Sequence, residues 1–371
     1  MAACPACAQP GGHPGQGYFE HSLESWLTSV QPPHPEYAAL QRALTDLEAR
    51  AQAGGWPLVP DAVLRNTADQ TQIAARLAAG GDESVEVFQV RHGLAPTGTV
   101  DRPTLAALNI PIEERIRQVA INLERWRWMP EEPGERYIFV NIPQYSLEAR
   151  ENDLPVFESR VVVGRLGDTT PVFSDEMIEL AFSPYWNIPD TIASDETMPA
   201  MEKDPGYLRR LNIEVLKASG KRVEVVDPSS VDWSDPRARR AITFRQRPGS
   251  SNALGLVKFL FPNRFDVYIH DTPSVSLFRR SGRAFSHGCI RIQDPRGLAA
   301  YVLRDQPEWT AEAIERAMAS GKERHVKLTA PIPVHIVYFT AWVDHYGTLH
   351  FASDVYGYDK KQAQRRAQQD T

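Results

Sequence analysis

The spacing of the apolar residues changes at Pro133-Gly134, and this change restricts the possible folds more than any other feature of the sequence. Before it, apolar positions recur every three or four residues, which is typical of amphipathic helices. After it, the apolar runs are short, β-branched or alternating, and Pro, Gly, Asn and Asp separate them, which is typical of strands. We therefore expect an α+β protein in which an all-α segment precedes a β-rich domain with a mostly antiparallel sheet.

The helical part is predicted to span residues 18–128. One amphipathic helix is expected at 36–54, and a second, at 111–128, links the helical part to the β-rich domain. Between them, residues 81–109 predict a short helix, a turn with Gly and Pro, and a second helix that begins at Pro103. These residues should form a compact helical module.

The β-rich domain is predicted to span residues 134–354. Its first strands are expected at 137–142, 145–150, 158–163 and 177–182. From about 190 to 262 a helical stretch and then a polar segment (227–247) interrupt the strands, which return at Asp266. Because an insertion of this length lies just before the candidate site, we expect it to be a capping subdomain.

The C-terminal part is predicted to contain one helix and one hairpin. Thr310 can cap the helix, and Gly321 ends it. The hairpin joins the strand-like runs 335–343 and 348–351. Residues 355–371 are expected to be a polar tail.

Charge and length narrow the class of protein. The 371 residues can hold two or three domains, and a hydrophobic content of 42% is enough for a sizeable core. The net charge of −6 is spread along the chain, and no basic stretch alternates with aromatic residues. Nucleic acids and anionic membrane surfaces are therefore set aside as partners.

The N-terminus gives no sign of export. Residues 1–17 have no apolar period, no Lys and no Arg, so they are expected to be a disordered tail without a signal peptide. The chain is then either cytosolic or begins downstream of the native start. Cys4 and Cys7 form one CxxC pair with no second pair to complete a zinc tetrahedron, so neither a metal nor an organic cofactor is expected.

The residues best suited to chemistry lie in the stretch Ser286-His287-Gly288-Cys289. A thiol is a weak nucleophile until a base or a positive potential favours the thiolate, and two histidines are available, the adjacent one and His270. Small residues beside the thiol let a carbonyl approach, and the amides of Gly288 and Cys289 can stabilise an oxyanion. If the turn is disregarded, the alternative interpretation is that the histidine is a packing residue and the cysteine is a buried small hydrophobic residue.

Longer phrases around these residues resemble a known family. Residues 268–273 (Tyr-Ile-His-Asp-Thr-Pro) and 283–292 closely resemble the L,D-transpeptidase catalytic domain, also called YkuD-like. The His-Asp-Thr-Pro form behind a long insertion is similar to the large YcbB-type branch of Gram-negative bacteria. Residues 88–109 resemble the peptidoglycan-binding module of cell-wall enzymes, although Asp101 stands where that module often has glycine; a helical spacer without a ligand is the alternative.

The resemblance implies a peptidoglycan L,D-transpeptidase, which is a cysteine acyltransferase of the periplasm or cell envelope. Cys289 would attack the diaminopimelate carbonyl of a tetrapeptide stem and release D-alanine, and an amine of a second stem would then form a 3→3 cross-link. Water as the acceptor would make the protein an L,D-carboxypeptidase, and a lipoprotein lysine would make it an anchoring enzyme. Carbapenem β-lactams are the implied inhibitors. The same residues also fit a non-catalytic wall-binding protein or a wall endopeptidase.

The resemblance also assigns roles to single residues. His270 would be the base, and Asp271 or its backbone would orient the imidazole ring. Gly288 would contribute an amide to the oxyanion hole. Arg291 would either clamp a stem carboxylate or form a structural ion pair. Further substrate contacts are assigned to Ser286, His287, Asn263 and Trp186, with hinge packing as the alternative for Trp186.

Overall fold

The computed structural model describes residues 31–64, 70–219 and 222–369. The predicted tail at 1–17, with Cys4 and Cys7, lies outside these residues. Within the described ranges, no helix has both the length and the apolar character needed to cross a membrane.

The N-terminal part is helical, as predicted. Its helices are α1 (Pro35–Gln52), α2 (Gln70–Gly80), α3 (Val85–Arg91), α4 (Arg102–Leu108) and α5 (Ile112–Trp126). The two long amphipathic helices are confirmed as α1 and α5, and the module as α3 and α4. Asp101 is the N-cap of α4 and accepts a hydrogen bond of 2.9 Å from the Thr104 amide, so the residue that departs from the module's usual glycine has a structural role.

Two apolar clusters hold the helical part in place. Helices α1 and α5 pack against the β-rich domain through buried residues that include Leu40 and Trp126, and the Trp126 ring stacks on Phe339 at 4.6 Å. The module has its own core around Phe88 and Leu108. The helical part is therefore fixed to the β-rich domain by packing.

The β-rich domain contains all fifteen strands of the described residues. In chain order the strands are β1 (Arg136–Asn141), β2 (Ser146–Glu151), β3 (Leu154–Gly164), β4 (Phe173–Phe182), β5 (Trp186–Ile188), β6 (Ile213–Ser219), β7 (Arg222–Val226), β8 (Ile242–Gln246), β9 (Val257–Leu260), β10 (Ile269–His270), β11 (Ala284–Ser286), β12 (Ile290–Ile292), β13 (Arg324–Val337), β14 (Ala341–Val343) and β15 (Leu349–Phe351). Nine of them form one sheet in the order β11-β3-β12-β10-β9-β4-β13-β1-β2, and a further pairing of β2 with β3 closes this order on itself. Of its nine strand pairs, six are antiparallel and three are parallel, so the predicted, mostly antiparallel sheet is confirmed.

The insertion between β4 and β9 forms a separate small unit, which we call the cap. It contains a four-stranded antiparallel sheet (order β5-β8-β6-β7) and the short helices α6 (Asp190–Ile192), α7 (Met198–Lys203), α8 (Tyr207–Arg210) and α9 (Pro236–Arg240). The polar segment predicted at 227–247 ends in β8, where Ile242 and Phe244 alternate with polar residues and face the cap core. The main sheet resumes at Val257, so the expected end of the insertion near 262 is too late; β9 has only four residues, too few for a clear period.

The C-terminal elements differ from the prediction in three places, the first of which is the additional helix α10. Helices α10 (Pro295–Val302) and α11 (Ala311–Met318) pack on the main sheet, and the Thr310 cap of α11 is confirmed. Residues 324–337 form the long strand β13, and the hairpin contains only β14 and β15. The predicted tail contains helix α12 (Tyr358–Gln369), in which Asp359 forms an ion pair of 2.7 Å with the buried Arg125.

Candidate active site

Two neighbouring parallel strands bring the cysteine turn beside His270. In β10 and β12, Ile269 pairs with Ile290 and His270 pairs with Arg291. Side chains alternate along a strand, so these two isoleucines enter the core while His270 and Arg291 lie on the opposite face. Cys289, two residues before Arg291, belongs to that same face. The topology therefore brings together residues that are 19 positions apart in the chain (289 − 270).

Two more residues belong to this face, and the sequence interpretation missed both. Tyr268, two residues before His270, has its ring centroid 5.6 Å from that of the imidazole. Lys258 pairs with His270 across β9 and β10, and its Nζ lies 3.7 Å from the centroid of the Tyr268 ring. Tyr268 could have been found from the sequence, because it lies two residues before His270 and therefore on the same face of the strand. Lys258 could not, because it lies on a different strand.

The thiol of Cys289 is half-buried and surrounded by polar groups. Its Sγ lies 3.8 Å from the carbonyl oxygen of Asp266, to which the S–H can donate. Both the amide and the hydroxyl of Tyr268 can donate to the sulfur. Burial raises the pKa of the Cys289 thiol, although Tyr268 and the nearby cations oppose the rise. The resting group is therefore a thiol that needs a base.

His270 has the properties of a neutral base. Its side chain is 4% exposed, and Nδ1 lies 2.5 Å from the carbonyl oxygen of Asp271. A carbonyl only accepts hydrogen bonds, so Nδ1 carries the proton and Nε2 has a free lone pair. Burial, assisted by the charges of Arg291 and Lys258, lowers the pKa of His270 to about 3. Cys289 and His270 are thus an uncharged pair at neutral pH.

Asp271 orients His270 through its backbone, which decides the alternative that the sequence left open. The Asp271 carboxylate accepts hydrogen bonds from the amides of Leu256 (2.8 Å) and Thr272 (2.7 Å). Gly255 makes room for it, since a Cβ there would lie 2.3 Å from the Asp271 Cγ. The side chain of Asp271 therefore organises the loop, and only its carbonyl contacts the base.

Replacing Asp271 with asparagine should lower the free energy of unfolding by about 1–3 kcal/mol, because the amide nitrogen cannot accept one of the two buried N–H groups. Thermal or denaturant unfolding measures this loss. Asp175→Asn is the matched control: Asp175 also accepts a backbone N–H, from Glu176, but at an exposed position, where about 0.5 kcal/mol or less is expected. Equal effects of the two substitutions would contradict the assigned role.

The turn before Cys289 is held by Ser286. The Ser286 side chain is 1% exposed; its Oγ donates to the Cys289 carbonyl (2.5 Å) and accepts from the Gly288 amide (3.2 Å). Both functions of the Ser286 hydroxyl are used inside the turn, and its expected substrate contact stays a prediction. Gly288 has φ +108°, which favours glycine. Its amide must leave Ser286 to serve as an oxyanion donor, and a hydrogen bond of 3.2 Å is weak enough for that.

The cap reaches the turn through two contacts. His287 Nε2 lies 2.8 Å from Oε1 of Glu196, a cap residue in the π-helical turn Ala193–Thr197. Burial raises the pKa of Tyr268, and the side chain of Trp186, on β5, is near enough to the Tyr268 hydroxyl to oppose that rise. Trp186 also packs on the cap core, which fits the hinge-packing alternative. The structure thus places the predicted His287 and Trp186 at the site.

Arg291 and Asn263 differ in how far the fold uses their polar groups. Among the described residues, the Arg291 guanidinium has no ion pair and no hydrogen bond, and its Nε is buried without a partner. The structural ion pair is therefore wrong, and the carboxylate clamp stays a prediction. Asn263 donates to the carbonyls of Phe261 and Val267 and accepts from the amides of Phe265 and Val267. The side-chain amide is thus used within the loop, and the predicted substrate contact of Asn263 stays a prediction.

The family model described as "YkuD: L,D-transpeptidase catalytic domain" matches residues 135–329, more than half of the chain. The chain belongs to the L,D-transpeptidase family. The match begins at β1, runs through the cap and ends within β13, so it contains both Cys289 and His270. The helical part (α1 to α5) lies outside the matched residues, as do the C-terminal hairpin and α12.

Other L,D-transpeptidases are similar to the chain. A Haemophilus influenzae protein, provisionally described as an L,D-transpeptidase, is 33% identical over 318 residues, which are 84% of this chain and 63% of the relative. The chain thus spans less than two thirds of that relative's length. Two solved structures are also similar. L,D-transpeptidase 3 from Mycobacterium tuberculosis, in complex with a faropenem-derived adduct, is 13% identical over 55% of this chain and 60% of its own, with a TM-score of 0.25. The LD transpeptidase LdtMt1, in complex with imipenem, is 12% identical over 55% of this chain and 59% of its own, with a TM-score of 0.27.

The residues that the structure describes form no metal site. Within 31–64, 70–219 and 222–369, no three or more His, Cys, Asp or Glu side chains are grouped so that they could hold a metal ion. The CxxC pair near the N-terminus lies outside these ranges.

Proposed function

We propose that this chain is a peptidoglycan L,D-transpeptidase, a cysteine acyltransferase that forms 3→3 cross-links. The observation that carries the proposal is the pair of a half-buried thiol and a neutral imidazole on one face of β10 and β12. The imidazole has its proton on Nδ1, so its free Nε2 can take the thiol proton. Family membership supplies the substrate class.

The first half of the reaction forms a thioester. Nε2 of His270 takes the proton of the Cys289 thiol while the sulfur attacks the diaminopimelate carbonyl of a tetrapeptide stem. The oxyanion is stabilised by the amide of Cys289 and by that of Gly288 once it has left Ser286. When the intermediate collapses, the C–N bond to D-alanine breaks, and His270 returns its proton to the departing amine.

The second half transfers the acyl group. The side-chain amine of a second stem attacks the thioester, His270 takes a proton from that amine, and the sulfur departs as a thiol with the proton returned. Arg291, which has no partner among the described residues, is suited to hold a carboxylate of the stem. The cap contacts His287, two residues before the thiol, and a closed cap would limit the entry of water and favour an amine as the acceptor.

Incubation with a disaccharide-tetrapeptide tests this function. We expect mass spectrometry to show a cross-linked dimer with loss of one D-alanine. Accumulation of the tripeptide alone would identify an L,D-carboxypeptidase, and transfer only to a lysine-ended lipoprotein peptide would identify an anchoring enzyme. Cleavage within a cross-linked dimer would identify an endopeptidase. Absence of every product would favour a non-catalytic wall-binding protein.

We also propose that carbapenems acylate Cys289, because their strained amide presents a carbonyl and a carboxylate to the same groups. Two solved L,D-transpeptidases are complexes with imipenem and with a faropenem-derived adduct. A mass shift equal to the intact drug on the peptide that contains Cys289 tests this inhibition.

Three narrower assignments are also proposals: the branch of the family, the cellular compartment and the role of the α3–α4 module. We propose that the chain belongs to the YcbB-type branch, that it acts in the periplasm or cell envelope, and that the α3–α4 module binds peptidoglycan. On α3, Val87 and Val90 are 39% and 54% exposed and lie one helical turn apart. Binding of the full chain to purified sacculi should fall when both are changed to lysine. Unchanged binding would indicate a helical spacer.

A further inference from the structure

The cap places a carboxylate directly in front of the active-site turn. Glu196 Oε1 lies 2.8 Å from His287 Nε2, which donates the hydrogen bond. The side chains of Glu196 and His287 are 49% and 29% exposed. In the turn that carries Glu196, Ala193 and Thr197 are buried, at 5% and 2%, so this turn is fixed in the cap while the carboxylate faces outward. The contact therefore holds a negative charge beside the residues that surround the thiol.

The guanidinium of Arg291 forms no hydrogen bond and no ion pair among the described residues. Arg291 lies on the same strand face as Cys289, and its Nε is buried without a hydrogen bond. Burial lowers the pKa of the Arg291 guanidinium, and the negative charges of a Cys289 thiolate and, to a smaller extent, of Glu196 oppose that effect. A guanidinium in this position has several free donors, and a carboxylate is the group whose geometry fits them.

A substrate of the proposed function brings a competing carboxylate. In a tetrapeptide stem, the terminal D-alanine carboxylate is two bonds from the nitrogen of the bond that Cys289 breaks. Arg291 is two residues from Cys289 on the same face and is thus positioned for that carboxylate. Glu196 and the D-alanine carboxylate then require the same cationic surroundings, and two negative charges there repel each other.

We propose that Glu196 is an internal substitute for the substrate carboxylate: it occupies the space before His287, within range of the positive charge of Arg291, and the D-alanine carboxylate must displace it before Cys289 can attack. This inference rests on the proposed transpeptidase function. It makes Glu196 a residue that sets specificity rather than a catalytic residue. The cap then opens for substrates whose own carboxylate replaces the contact with Glu196.

The charge of Glu196 can be removed while its hydrogen bond is kept. In Glu196→Gln the side-chain carbonyl still accepts from His287, so the position of the cap is retained. Two substrates are compared: the disaccharide-tetrapeptide with a free D-alanine carboxylate and the same compound with a terminal carboxamide. For the free acid, we expect kcat/KM for thioester formation to rise about tenfold, the equivalent of one like-charge contact at a partly exposed site. For the carboxamide, we expect no change.

Two further variants complete the experiment. Asp195→Asn removes the neighbouring cap carboxylate, which contacts Ser194 and not His287, and should leave both rates unchanged. In a chain that already carries Arg291→Gln, adding Glu196→Gln should no longer raise kcat/KM for the free acid. A Glu196→Gln variant that changes both substrates equally, or that loses activity with both, would overturn the inference and make Glu196 a simple latch of the cap.

Failure of the function and failure of the inference give different results. If the unmodified chain forms no thioester with either substrate, the proposed function is wrong, and the inference falls with it. If the unmodified chain forms the thioester and Glu196→Gln gives no gain with the free acid, only the inference is overturned.

Discussion

Changing Cys289 to alanine should abolish every covalent product of this protein, which is the largest effect that we expect. The side chain is the only thiol in the described residues, and Tyr268 and Asp266 surround its sulfur. Without the sulfur no thioester can form, so neither a carbapenem adduct nor loss of D-alanine should be detected by mass spectrometry.

The fold should survive this change. Cys289 is half-buried, and the contacts of its sulfur with the Asp266 carbonyl at 3.8 Å and with Tyr268 are weak, so the thermal unfolding temperature should stay close to that of the unmodified chain. An adduct that persists in Cys289→Ala would refute the assignment of the nucleophile. Cys289→Ser is a second control, because a hydroxyl of similar size is a much weaker nucleophile at neutral pH.

Changing His270 to glutamine should slow acylation by about 10²–10⁴-fold, the usual contribution of a general base. Glutamine can still donate to the Asp271 carbonyl but cannot take a proton from the thiol. His287→Gln is the matched control, since His287 contacts Glu196 of the cap, and it should have a much smaller effect. Stopped-flow acylation by a carbapenem measures both. A larger loss in His287→Gln would show that the base is the adjacent histidine.

The low pKa of His270 also predicts how the reaction depends on pH. Because the folded protein holds this pKa at about 3, the base stays neutral and acylation should not fall through its protonation between about pH 5 and pH 8. An inflection near the ordinary histidine pKa of about 6.5 that disappears in His270→Gln would contradict this prediction.

The same shift should appear in the stability of the fold. In the unfolded chain His270 takes up a proton as the pH falls through about 6.5, whereas in the folded chain it does so only near the pKa of about 3. The neutral, buried imidazole therefore contributes stability that is fully present above about pH 6.5 and is lost as the pH falls toward 3. The change with pH should be smaller in His270→Gln, as measured by chemical unfolding at several pH values.

Short-range patterns made much of the fold predictable. Helices α1 and α5 follow from leucines and other apolar residues spaced three or four apart, and β1 to β4 follow from short runs bounded by turn residues. The errors lie where the pattern is short or depends on distant contacts. Strands β8 and β9 are five and four residues long, and β13 pairs with β1 and β4 from far along the chain. Helix α12 contacts Arg125, which lies on a helix of the N-terminal part.

The sequence by itself was enough to propose the nucleophile and the residues beside it. Cys289 follows a turn of small residues, and the structure agrees with that local pattern, since Gly288 has φ +108°. His270 was also identifiable, through its phrase of neighbouring residues. These features are local, since they depend on residues within a few positions of each other.

The tertiary structure alone decided which groups act on that nucleophile. Pairing of β9, β10 and β12 placed Lys258, Tyr268 and Arg291 on one face, and folding of the cap brought Glu196 to His287. It also decided that the carbonyl of Asp271, and not its carboxylate, orients the base. The physical reason is that strand register and burial are set by the whole sheet: they fix which charges meet and which protons are held, and no local pattern contains that information.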